Sequence, residues 1–488
     1  MLTSIFKTIC KVAKKEKVEV YVVGGYVRDR LLGLDESTLK DVDFVVAGSG
    51  LEFAKKFDKE LKQAGSLVEF PDFDTARYVI VETGNLKLET GAIELEFAGA
   101  RSEKYDEKSR KPKVKTASLE EDLRRRDFTV NAMAIDVKKL SNKEIKKLSE
   151  CVIDPFDGQK DLKKKILRTP MDPDKTFSED PLRMMRAARF ASQLGFEIDP
   201  EALLSMAKNH KRLKIISTER IQEELLKLLK TPKPSIGLNI LFQTKLLDQF
   251  LPEISALHGV EEAGGIGHKE NLTHTFQVVD NIATRSDNVW LRFAGLLHDA
   301  GKAETKKFIR GRGWTFDMHE HLGKKLAYQV CKRLRISTRD GKYLGKLVRW
   351  HQQPISLMDE GVTDSAVRRL IVNLGDDLND LLILCRSDIT TGNELKLKRR
   401  LANYDYLERR IKEVIEADKL RAFQSPVRGE EIMKECKLKP GPTVGKIKKA
   451  LEEAILDGVV ANEYEAVKKH FEKIKDEYLK SASEWEMV

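Results

Sequence analysis

Two aspartates, Asp41 and Asp43, stand two residues apart in the apolar run DVDFVV. Residues two apart in a β-strand face the same side, so a strand here brings both carboxylates together. Because like charges at this spacing repel each other unless a cation lies between them, the pair predicts a magnesium site that also binds phosphate oxygens. The alternative is a solvated strand face without a metal.

The stretch before the aspartates predicts how they are positioned. Val18–Val23 is rich in β-branched residues and predicts a strand, Gly24 and Gly25 predict a turn, and Tyr26–Leu32 predicts a helix. A turn without side chains leaves backbone N–H groups and a helix N-terminus free to hold a triphosphate. An ordinary turn is the alternative for the glycines alone. Joined to the two carboxylates, they favour a nucleotide site.

The composition indicates a large globular protein with several domains. The chain has 488 residues, of which 34% are charged, and Lys+Arg of 88 against Asp+Glu of 78 gives a net charge of +10. Such an excess fits a polyanionic partner. The five cysteines are scattered, and neither a signal peptide nor a membrane-spanning stretch is evident, which favours the cytoplasm.

Residues 1 to about 138 hold most of the strand-like sequence. A helical stretch begins near Leu51, and apolar runs follow at Ser66–Phe70, Ala76–Glu82 and Ala92–Ala98. The last run alternates, so that its apolar residues share one face while Glu94 and Glu96 share the other. Either glutamate could join the aspartates as a third metal-site carboxylate, and either could equally be an exposed strand residue.

A charged segment and an arginine run follow. Arg101–Lys115 is strongly polar and predicts a loop, after which Ser118 and Glu121 have the spacing of a helix cap. Leu123–Asp136 then sets three consecutive arginines before an apolar segment. Such a run is typical of a solvated face, but its position in this strand-rich part of the chain favours arginines directed at phosphates.

Beyond about residue 140 the pattern is helical, and Ser178–Phe196 predicts one helix with Pro181 in its first turn. Asp180 and Arg183 are three apart and could simply form an ion pair. They could also recognise a base, since cytosine and adenine both offer an amino group beside a bare ring nitrogen. Asp180 would accept from the amino group and Arg183 would donate to the nitrogen, whereas uracil and guanine would satisfy neither contact.

Six of the nine histidines lie between His268 and His351. A lone histidine is usually structural, but histidines and aspartates in this density predict a centre for manganese, iron, nickel, zinc or magnesium. Two such metals would hydrolyse phosphoesters by activating water. The candidate ligands are His274, His298, Asp299, His319, His321, His351 and Asp388.

The C-terminal part predicts basic helices. Leu395–Arg400 reads LKLKRR, and Lys439–Lys446 contains Gly-Pro turns that open a lysine-rich helix. Such turns can bind a phosphate backbone, and they can equally be a connection between two helices.

Several ordered motifs carry a resemblance to a known family. GGYVRD with DVD, then RRRDFTVNA, DPFDG, EDPLRMMRAARF and STERIQEEL, resemble the class II tRNA nucleotidyltransferases, the CCA-adding enzymes and their poly(A) polymerase relatives. GPTVGK is similar to the tail of that family, and HDAGK resembles the HD phosphohydrolase superfamily. The resemblance implies a multidomain protein with a mixed α/β nucleotidyltransferase head and an all-α remainder that includes an HD-type helical domain.

The resemblance also implies roles for individual residues. Asp41, Asp43 and Glu96, preferred to Glu94, are the catalytic carboxylates, and the two aspartates bind the magnesium of the head. His319, which precedes a glutamate as in the family, is preferred to His321 as a ligand, alongside His274, His298, Asp299, His351 and Asp388 for a divalent metal of unknown identity. The implied nucleotide-binding residues are Gly24, Gly25, Arg28, Arg125, Arg126, Asp127, Asn131, Asp180, Arg183, Arg186 and Arg189.

The expected organisation is a nucleotidyltransferase head at 1–138, a helical neck at 139–215 with the nucleotide-selecting helix, the start of a helical body at 216–260, an HD domain at 261–395 and a tRNA-binding tail at 396–488. The expected reaction adds C, C and A to the 3′ end of tRNA from CTP and ATP. The alternatives are a poly(A) polymerase, an RNA-directed HD phosphohydrolase that uses the head for binding, and a tRNA-binding module without catalysis. The segment 101–114 resembles the loop of a CCA-adding enzyme and argues against CC-only addition.

Overall fold

The computed structural model describes residues 2–36, 39, 41–62, 64–80, 92–106, 109–141, 148–260, 262–263, 266–267, 270–358, 361–418 and 425–487, with the side chains of 102–116, 262–263, 266–267, 417–418 and 484 excepted. These residues form two compact units, 1–256 with 332–335, and 257–331 with 336–488. The end of the predicted run at Glu82, and the side chains of the segment 101–114 apart from Arg101, lie outside the described part.

The first unit begins with a seven-stranded mixed sheet in the order β3-β4-β5-β2-β1-β8-β9. The central strand β2 is antiparallel to β1 and parallel to β5, and this pairing places Asp43 opposite Glu96. The strands are β1 (Val20–Val23), β2 (Asp41–Val46), β3 (Ser66–Phe70), β4 (Thr75–Ile80), β5 (Ile93–Gly99), β8 (Ala134–Asp136) and β9 (Val152–Ile153).

One face of this sheet is covered by helices. α1 (Leu2–Glu16) and α3 (Gly50–Glu60) bury their apolar sides against it, and α5 (Val137–Leu140) packs on α1. The core is aromatic: the rings of Phe44 and Phe97 stack with centroids 4.9 Å apart, and that of Phe57 lies 5.2 Å from Phe97. Because alternate residues point to opposite faces, burying Phe97 turns Glu96 to the other face, where Asp41 and Asp43 also point.

The charged segment at 101–116 is not the loop that we predicted. It forms a two-stranded antiparallel ribbon, β6 (Arg101–Asp106) paired with β7 (Ser109–Thr116). A ribbon of this kind is held together by main-chain hydrogen bonds, so it can be built from polar residues that give no hydrophobic alternation. α4 (Leu119–Arg124) follows, and Ser118 with Glu121 forms the predicted capping box.

The predicted helix Ser178–Phe196 is two helices, and this prediction was wrong at its N-terminal end. α7 (Pro173–Glu179) stops before Pro181, and α8 (Leu182–Leu194) starts after it. The reason is steric, since a proline disfavours the helical conformation in the residue before it. Asp180 is extended at this break, and its Oδ1 accepts a hydrogen bond from the Leu182 N–H.

The remainder of the first unit is helical. α8 packs against α10 and α11, and the parallel pair β10 (Ile166–Leu167) and β11 (Glu197–Ile198) joins the segments on either side of α8. The other helices of this unit are α2 (Gly25–Leu31), α6 (Gly158–Lys164), α9 (Pro200–Asn209), α10 (Thr218–Leu229), α11 (Pro234–Gln243) and α12 (Pro252–Ser255).

The second unit is largely helical, with two short antiparallel pairs, β12 (Glu262–Ala263) with β13 (Ile266–Gly267) and β14 (Lys307–Ile309) with β15 (Gly313–Thr315). The predicted multidomain class, a mixed α/β head followed by a helical remainder, is therefore confirmed. The helices are α13 (Asn271–Ala283), α14 (Val289–Leu297), α15 (Lys302–Thr305), α16 (His319–Arg333), α17 (Thr338–Trp350), α18 (Asp364–Leu374), α19 (Leu378–Ser387), α20 (Glu394–Asp418), α21 (Gly429–Cys436), α22 (Pro442–Leu456) and α23 (Tyr464–Leu479).

The start of α22 corresponds to the Gly-Pro turns of the sequence. Thr443 donates from its backbone N–H and its hydroxyl to the carboxylate of Glu486, over 2.8 and 3.0 Å. The Thr443 donors at the start of α22 are therefore already bound to a carboxylate of the same unit. Phosphate binding there stays a prediction. In the part of the chain that the structure describes, no helix combines the length and the apolar character needed to cross a membrane.

Candidate active sites

The three carboxylates predicted for the head lie on the open face of the sheet. Asp41 and Asp43 alternate along β2, and Glu96 is the partner of Asp43 on the adjacent strand β5. Although Asp43 opens into a cavity, the surrounding protein removes part of its hydration and raises the pKa of its carboxyl to about 6. The negative charges of Glu96 and Asp41 raise this pKa as well, whereas the guanidinium groups of Arg126 and, less strongly, Arg186 lower it.

The glycine turn brings the backbone against this carboxylate. Gly24 has a φ of +72°, and a Cβ at this position would lie 3.0 Å from Nη1 of Arg126 and 3.5 Å from Oδ2 of Asp43. A side chain here would thus be strained and would also displace the arginine. Gly25 begins α2 directly afterwards. The turn therefore keeps the space between the carboxylates and Arg126 open.

A buried acid that we did not predict positions the arginine motif. Asp122 on α4 is completely buried, and its two carboxylate oxygens bind Nη2 of Arg125 at 2.6 Å and Nη2 of Arg126 at 3.2 Å. Burial alone raises the pKa of Asp122, but Arg126 and Arg125 outweigh it and lower the pKa below its ordinary value. The signal was present in the sequence, because an acid three and four residues before two arginines shares their helix face.

Asp127 and Asn131 form hydrogen bonds with protein groups, and their implied contact with sugar and phosphates stays a prediction. Oδ1 of Asp127 accepts from the Phe128 N–H and from the Asn131 amide, and Oδ2 accepts from Arg186 at 2.6 and 2.8 Å. Burial by itself raises the pKa of Asp127, but Arg186 and Asn131 lower it to about 2. Asp127 is thus a permanent anion that holds Arg186 in place.

Three arginines from α2 and α8 surround the ring of Phe190 on α8. The guanidinium carbons of Arg28, Arg186 and Arg189 lie 5.2, 5.3 and 4.0 Å from its centroid. Arg189 also donates to the buried carboxylate of Glu224 at 2.7 Å. Glu224 lies on α10, and no local spacing in the sequence indicates this long-range pairing.

Arg28 is buried more deeply than a residue that binds a triphosphate needs to be. It is buried, pairs in a bidentate manner with Asp29 at 2.7 and 3.0 Å, and donates to Asn131 at 2.7 Å. The contact with Asn131 ties α2 to the arginine motif. A direct role for Arg28 in triphosphate binding stays a prediction.

Asp180 and Arg183 flank the start of α8. The backbone N–H of Arg183 donates to the Asp180 carbonyl over 3.0 Å, and Nη2 of Arg183 donates to the carbonyl of Arg125 over 2.6 Å. The other terminal nitrogen, Nη1, is buried and has no hydrogen-bond partner among the described residues. A buried donor without a partner is costly and is therefore a natural binding group for a ligand.

The carboxylates, the glycine turn, the arginines and Asp180 line one cavity of about 970 Å³ within the first unit. Its wall includes every residue that we predicted for nucleotide addition in the head and neck, and its members that we did not predict include Phe73, Arg101 and Arg220. The predicted residues in the wall are Gly24, Gly25, Arg28, Asp41, Asp43, Glu96, Arg125, Arg126, Asp127, Asn131, Asp180, Arg183, Arg186 and Arg189.

A second cluster lies in the helical unit, where backbone carbonyls orient three histidine rings. Nδ1 of His298, His319 and His351 lies 2.7, 2.8 and 2.7 Å from the carbonyls of Gly295, Phe316 and Val348. Nδ1 of His274 lies 2.8 Å from the hydroxyl of Thr390. Fixing Nδ1 in this way directs Nε2 toward the centre of the cluster, which is the usual arrangement around a metal.

The six candidate ligands form two adjoining triads, His274 with His298 and Asp388, and Asp299 with His319 and His351. Asp299 connects them: Oδ1 lies 3.5 Å from Nε2 of His319, and Oδ2 lies 3.3 Å from Nε2 of His298. Within each triad one possible ligand atom per residue lies within 4.8 Å of the others. The structure therefore brings together all six ligands that we preferred.

The donor set of these triads fits divalent cations. Nε2 of His298 and Oδ1 of Asp299 are buried without a hydrogen-bond partner among the described residues. Burial disfavours the charged ring, yet Asp299 and Asp388 raise the pKa of His298 to about 10, so the two carboxylates demand a neighbouring positive charge. His321 is 44% exposed and lies 3.7 Å from Glu320, outside both triads.

Comparison with known proteins connects both sites to one family. Residues 20–168 match the profile described as "Poly A polymerase head domain", and 195–257 match "Probable RNA and SrmB- binding site of polymerase A". Residues 271–390 match "HD domain". The first match contains the carboxylates and the arginine motif, and the third contains both histidine triads.

Curated relatives extend the match over most of the chain. The "A-adding tRNA nucleotidyltransferase" of Deinococcus radiodurans is 34% identical over 361 residues, which cover 72% of this chain and 78% of the relative. The "Multifunctional CCA protein" of Vibrio parahaemolyticus is 33% identical and covers 76% and 85%. The chain therefore belongs to the tRNA nucleotidyltransferase family with a poly(A) polymerase head, and it carries an HD domain.

Solved structures share the fold. The CCA-adding enzyme of Bacillus stearothermophilus in complex with CTP has a TM-score of 0.63 at 22% identity and covers 97% of this chain and 98% of its own. The Thermotoga maritima CCA-adding enzyme complexed with tRNA has a TM-score of 0.55 at 20% identity and covers 96% and 95%.

The pKa of Asp127 gives a prediction for acid stability. Because this pKa falls from its ordinary 3.8 to about 2 on folding, the charge stabilises the fold fully above about pH 5, by about 2 kcal/mol, and this contribution disappears as the pH falls toward 2. We expect Asp127→Asn to lower the melting temperature most at pH 5 to 7 and progressively less toward pH 2.5. Asp157→Asn, at an aspartate 77% exposed, is the control, and a constant Asp127→Asn deficit across this range would contradict the assignment.

The two triads predict different roles for His319 and His321. We expect His319→Gln to weaken Mn²⁺ binding at least about tenfold, because Nε2 of His319 belongs to a buried triad. Exposed His321 offers a matched control, and His321→Gln should bind like the wild type. Calorimetric titration of metal-stripped protein measures the affinities, and the head is the same in all three proteins. The reverse order of effects would make His321 the ligand.

Proposed function

We propose that the chain adds C, C and A to the 3′ end of tRNA, using CTP and ATP and no nucleic-acid template. The observation that carries this proposal is the convergence of three carboxylates, an arginine motif and the pair Asp180 and Arg183 on one cavity. The relatives named "Multifunctional CCA protein" support the same reaction. A chain of high positive charge also suits a polyanionic substrate.

In this reaction the 3′ oxygen of the tRNA forms a bond to the α-phosphorus of the nucleotide and loses its proton, while the bond to pyrophosphate breaks. Asp41, Asp43 and Glu96 would hold divalent metal, for which magnesium suits the all-carboxylate donor set. When bound, such ions neutralise the charge that develops on the phosphates. The identity of the metal is part of the proposal.

The chain's own residues bind and orient the nucleotide. The turn at Gly24 leaves room for phosphates beside Arg126, whose guanidinium is fixed by Asp122. Arg183 is held by the Arg125 carbonyl and keeps Nη1 free of protein partners among the described residues. That donor suits the ring nitrogen of cytosine or adenine, while Asp180 accepts from the amino group. Uracil and guanine would leave these polar groups unpaired, which opposes their binding.

The HD domain is proposed to hydrolyse phosphate esters. The two triads around Asp299 would hold two divalent cations. When bound, the cations supply Lewis-acid activation of water and of the phosphate. Lys302 places its ammonium 2.6 Å from Oδ2 of Asp299 and so fixes the carboxylate that connects the triads.

One observation favours a second candidate. The Deinococcus radiodurans relative carries the name "A-adding tRNA nucleotidyltransferase", at an identity similar to that of the multifunctional proteins. An enzyme that only adds A would use the same head on tRNA that already ends in CC. The substrate end therefore discriminates between the two functions.

The direct test supplies the purified chain with tRNA transcripts that end before the CCA, after the first C, or after both. With CTP and ATP together, CCA addition completes all three, whereas A addition extends only the last. A poly(A) polymerase would add many A residues to any RNA 3′ end. Extension of none of them, with phosphate release intact, would favour the RNA-directed phosphohydrolase, and the absence of both activities would leave a binding module.

A matched pair of glutamates tests the chemistry of the head. Glu94 and Glu96 lie on the same strand face, but only Glu96 lines the cavity. We expect Glu96→Gln to lower the rate of nucleotide addition at least about a hundredfold, because it removes a metal-site charge, and Glu94→Gln to lower it less than about threefold.

Rapid-quench measurement of single nucleotide addition at saturating CTP gives these rates, and tRNA binding is followed separately. Both variants should bind tRNA like the wild type. Equal rates for the two variants would remove Glu96 from the catalytic group.

A further inference from the structure

A hairpin beside the histidine triads has no role in the mechanism described so far. It comprises residues 306–316, with the sequence KKFIRGRGWTF, and we call it the basic hairpin. β14 and β15 form its two strands, and Phe308 pairs with Trp314 across them. Gly311 and Gly313 have φ values of +83° and +82° and make the turn. The segment therefore has a defined backbone.

Both ends of the basic hairpin are anchored to metal ligands. At its start, α15 leads from Asp299 into β14, and Lys302 on α15 lies 2.6 Å from the Asp299 carboxylate. At its end, the carbonyl of Phe316 lies 2.8 Å from Nδ1 of His319, and the Phe316 ring lies 5.6 Å from Nζ of Lys302. The two ends of the hairpin, and a ligand bound near them, therefore lie next to the triads.

The chemistry of the hairpin is unusual for a surface segment. It carries two lysines and two arginines, and none of its residues is acidic. Phe308 and Ile309 are 37% and 40% exposed, and Met318 just beyond the hairpin is 59% exposed. The rings of Phe308 and Trp314 have centroids 5.5 Å apart in an edge-on arrangement, and Nζ of Lys306 lies 5.7 Å from the Trp314 ring.

Cations beside the exposed ring of Phe308 and the half-buried ring of Trp314 match a single-stranded nucleic acid. Bases stack on aromatic rings, and the backbone phosphates pair with lysine and arginine. A free nucleotide has one base and a few phosphate charges, so it needs neither several rings nor four cations. An acidic protein would use the cations but has no bases to stack on these rings.

We propose that the basic hairpin docks the single-stranded 3′ end of an RNA, so that the HD centre acts on the terminal phosphate ester of an RNA rather than on free nucleotides. This inference rests on the proposed hydrolytic function of that centre. For a 3′-phosphorylated end, an oxygen of water forms the new bond to phosphorus and the bond to the 3′ oxygen breaks. Inorganic phosphate leaves, and the 3′ oxygen takes a proton to become a hydroxyl.

The test compares two substrates that contain the same ester. The full chain with Mn²⁺ receives either cytidine 3′-monophosphate or a single-stranded RNA dodecamer that ends in a cytidine 3′-phosphate. The double variant Arg310→Glu with Arg312→Glu should lower kcat/KM for the RNA at least about tenfold more than for the mononucleotide, and Phe308→Ala should do so at least about fivefold. Arg339→Glu is the control, because Arg339 is 93% exposed and starts α17 at the end opposite His351.

Equal losses on both substrates, or no loss on the RNA, would overturn the docking role. If the wild type hydrolyses neither substrate with Mn²⁺, Ni²⁺ or Mg²⁺, the proposed hydrolytic function fails, and the hairpin is judged by photocrosslinking. For this, the dodecamer carries 4-thiouridine as its penultimate base. Crosslinks within residues 306–316 that the double variant loses would support RNA docking, and their absence would overturn it.

Discussion

Repulsion between clustered carboxylates is the constraint on which both sites depend. On the open face of the sheet, Asp43 has Glu96 beside it on the next strand, and partial burial together with the charges of Glu96 and Asp41 raises its pKa to about 6 despite the nearby Arg126. In the helical unit, burial of the His298 ring lowers its pKa, but buried Asp299 and the half-buried Asp388 outweigh this and raise the pKa to about 10. Each cluster is tolerable only with positive charge nearby. Fixed arginines and lysines supply part of that charge, and the remainder defines where cations bind.

The arginines of the head are organised by buried acids and one aromatic ring. Asp122, Asp127 and Glu224 each hold one or two guanidinium groups by direct hydrogen bonds. Three guanidinium groups also lie 4.0 to 5.3 Å from the centre of the Phe190 ring. Most of these arginines are thus immobilised before a nucleotide arrives, which lowers the entropic cost of binding. Arg183 differs because Nη1 is buried but lacks a partner among the described residues, and this donor is suited to reading a base.

Much of this arrangement could be predicted from the sequence, because local periodicity determines which face a residue occupies. Alternation along each strand predicted that Asp41 and Asp43 share a face, as do Glu94 and Glu96. Alternation does not separate Glu96 from Glu94: the family resemblance favoured Glu96, which is also the glutamate that pairs with Asp43 and lines the cavity. The order of motifs indicated the family. Local patterns did not reveal Glu224, since it meets Arg189 from another helix.

The wrong predictions have physical reasons of the same kind. The charged segment 101–116 forms a ribbon because main-chain pairing needs no apolar face. The predicted helix from Ser178 is interrupted because Pro181 forces the preceding Asp180 into an extended conformation. Because of this interruption, Asp180 lies in the cavity wall outside a regular helix. The wrongly predicted helix therefore includes a residue with a proposed function.

The claim that protein side chains choose the base is tested most directly by Asp180→Ala in single-nucleotide addition. The measured quantity is the ratio of kcat/KM for CTP to that for UTP, on tRNA that ends before the CCA. Loss of the acceptor for the amino group should lower this ratio at least about a hundredfold relative to wild type, while addition of some nucleotide continues. A variant that adds nucleotides more slowly but keeps the wild-type ratio would contradict base selection by Asp180 and Arg183.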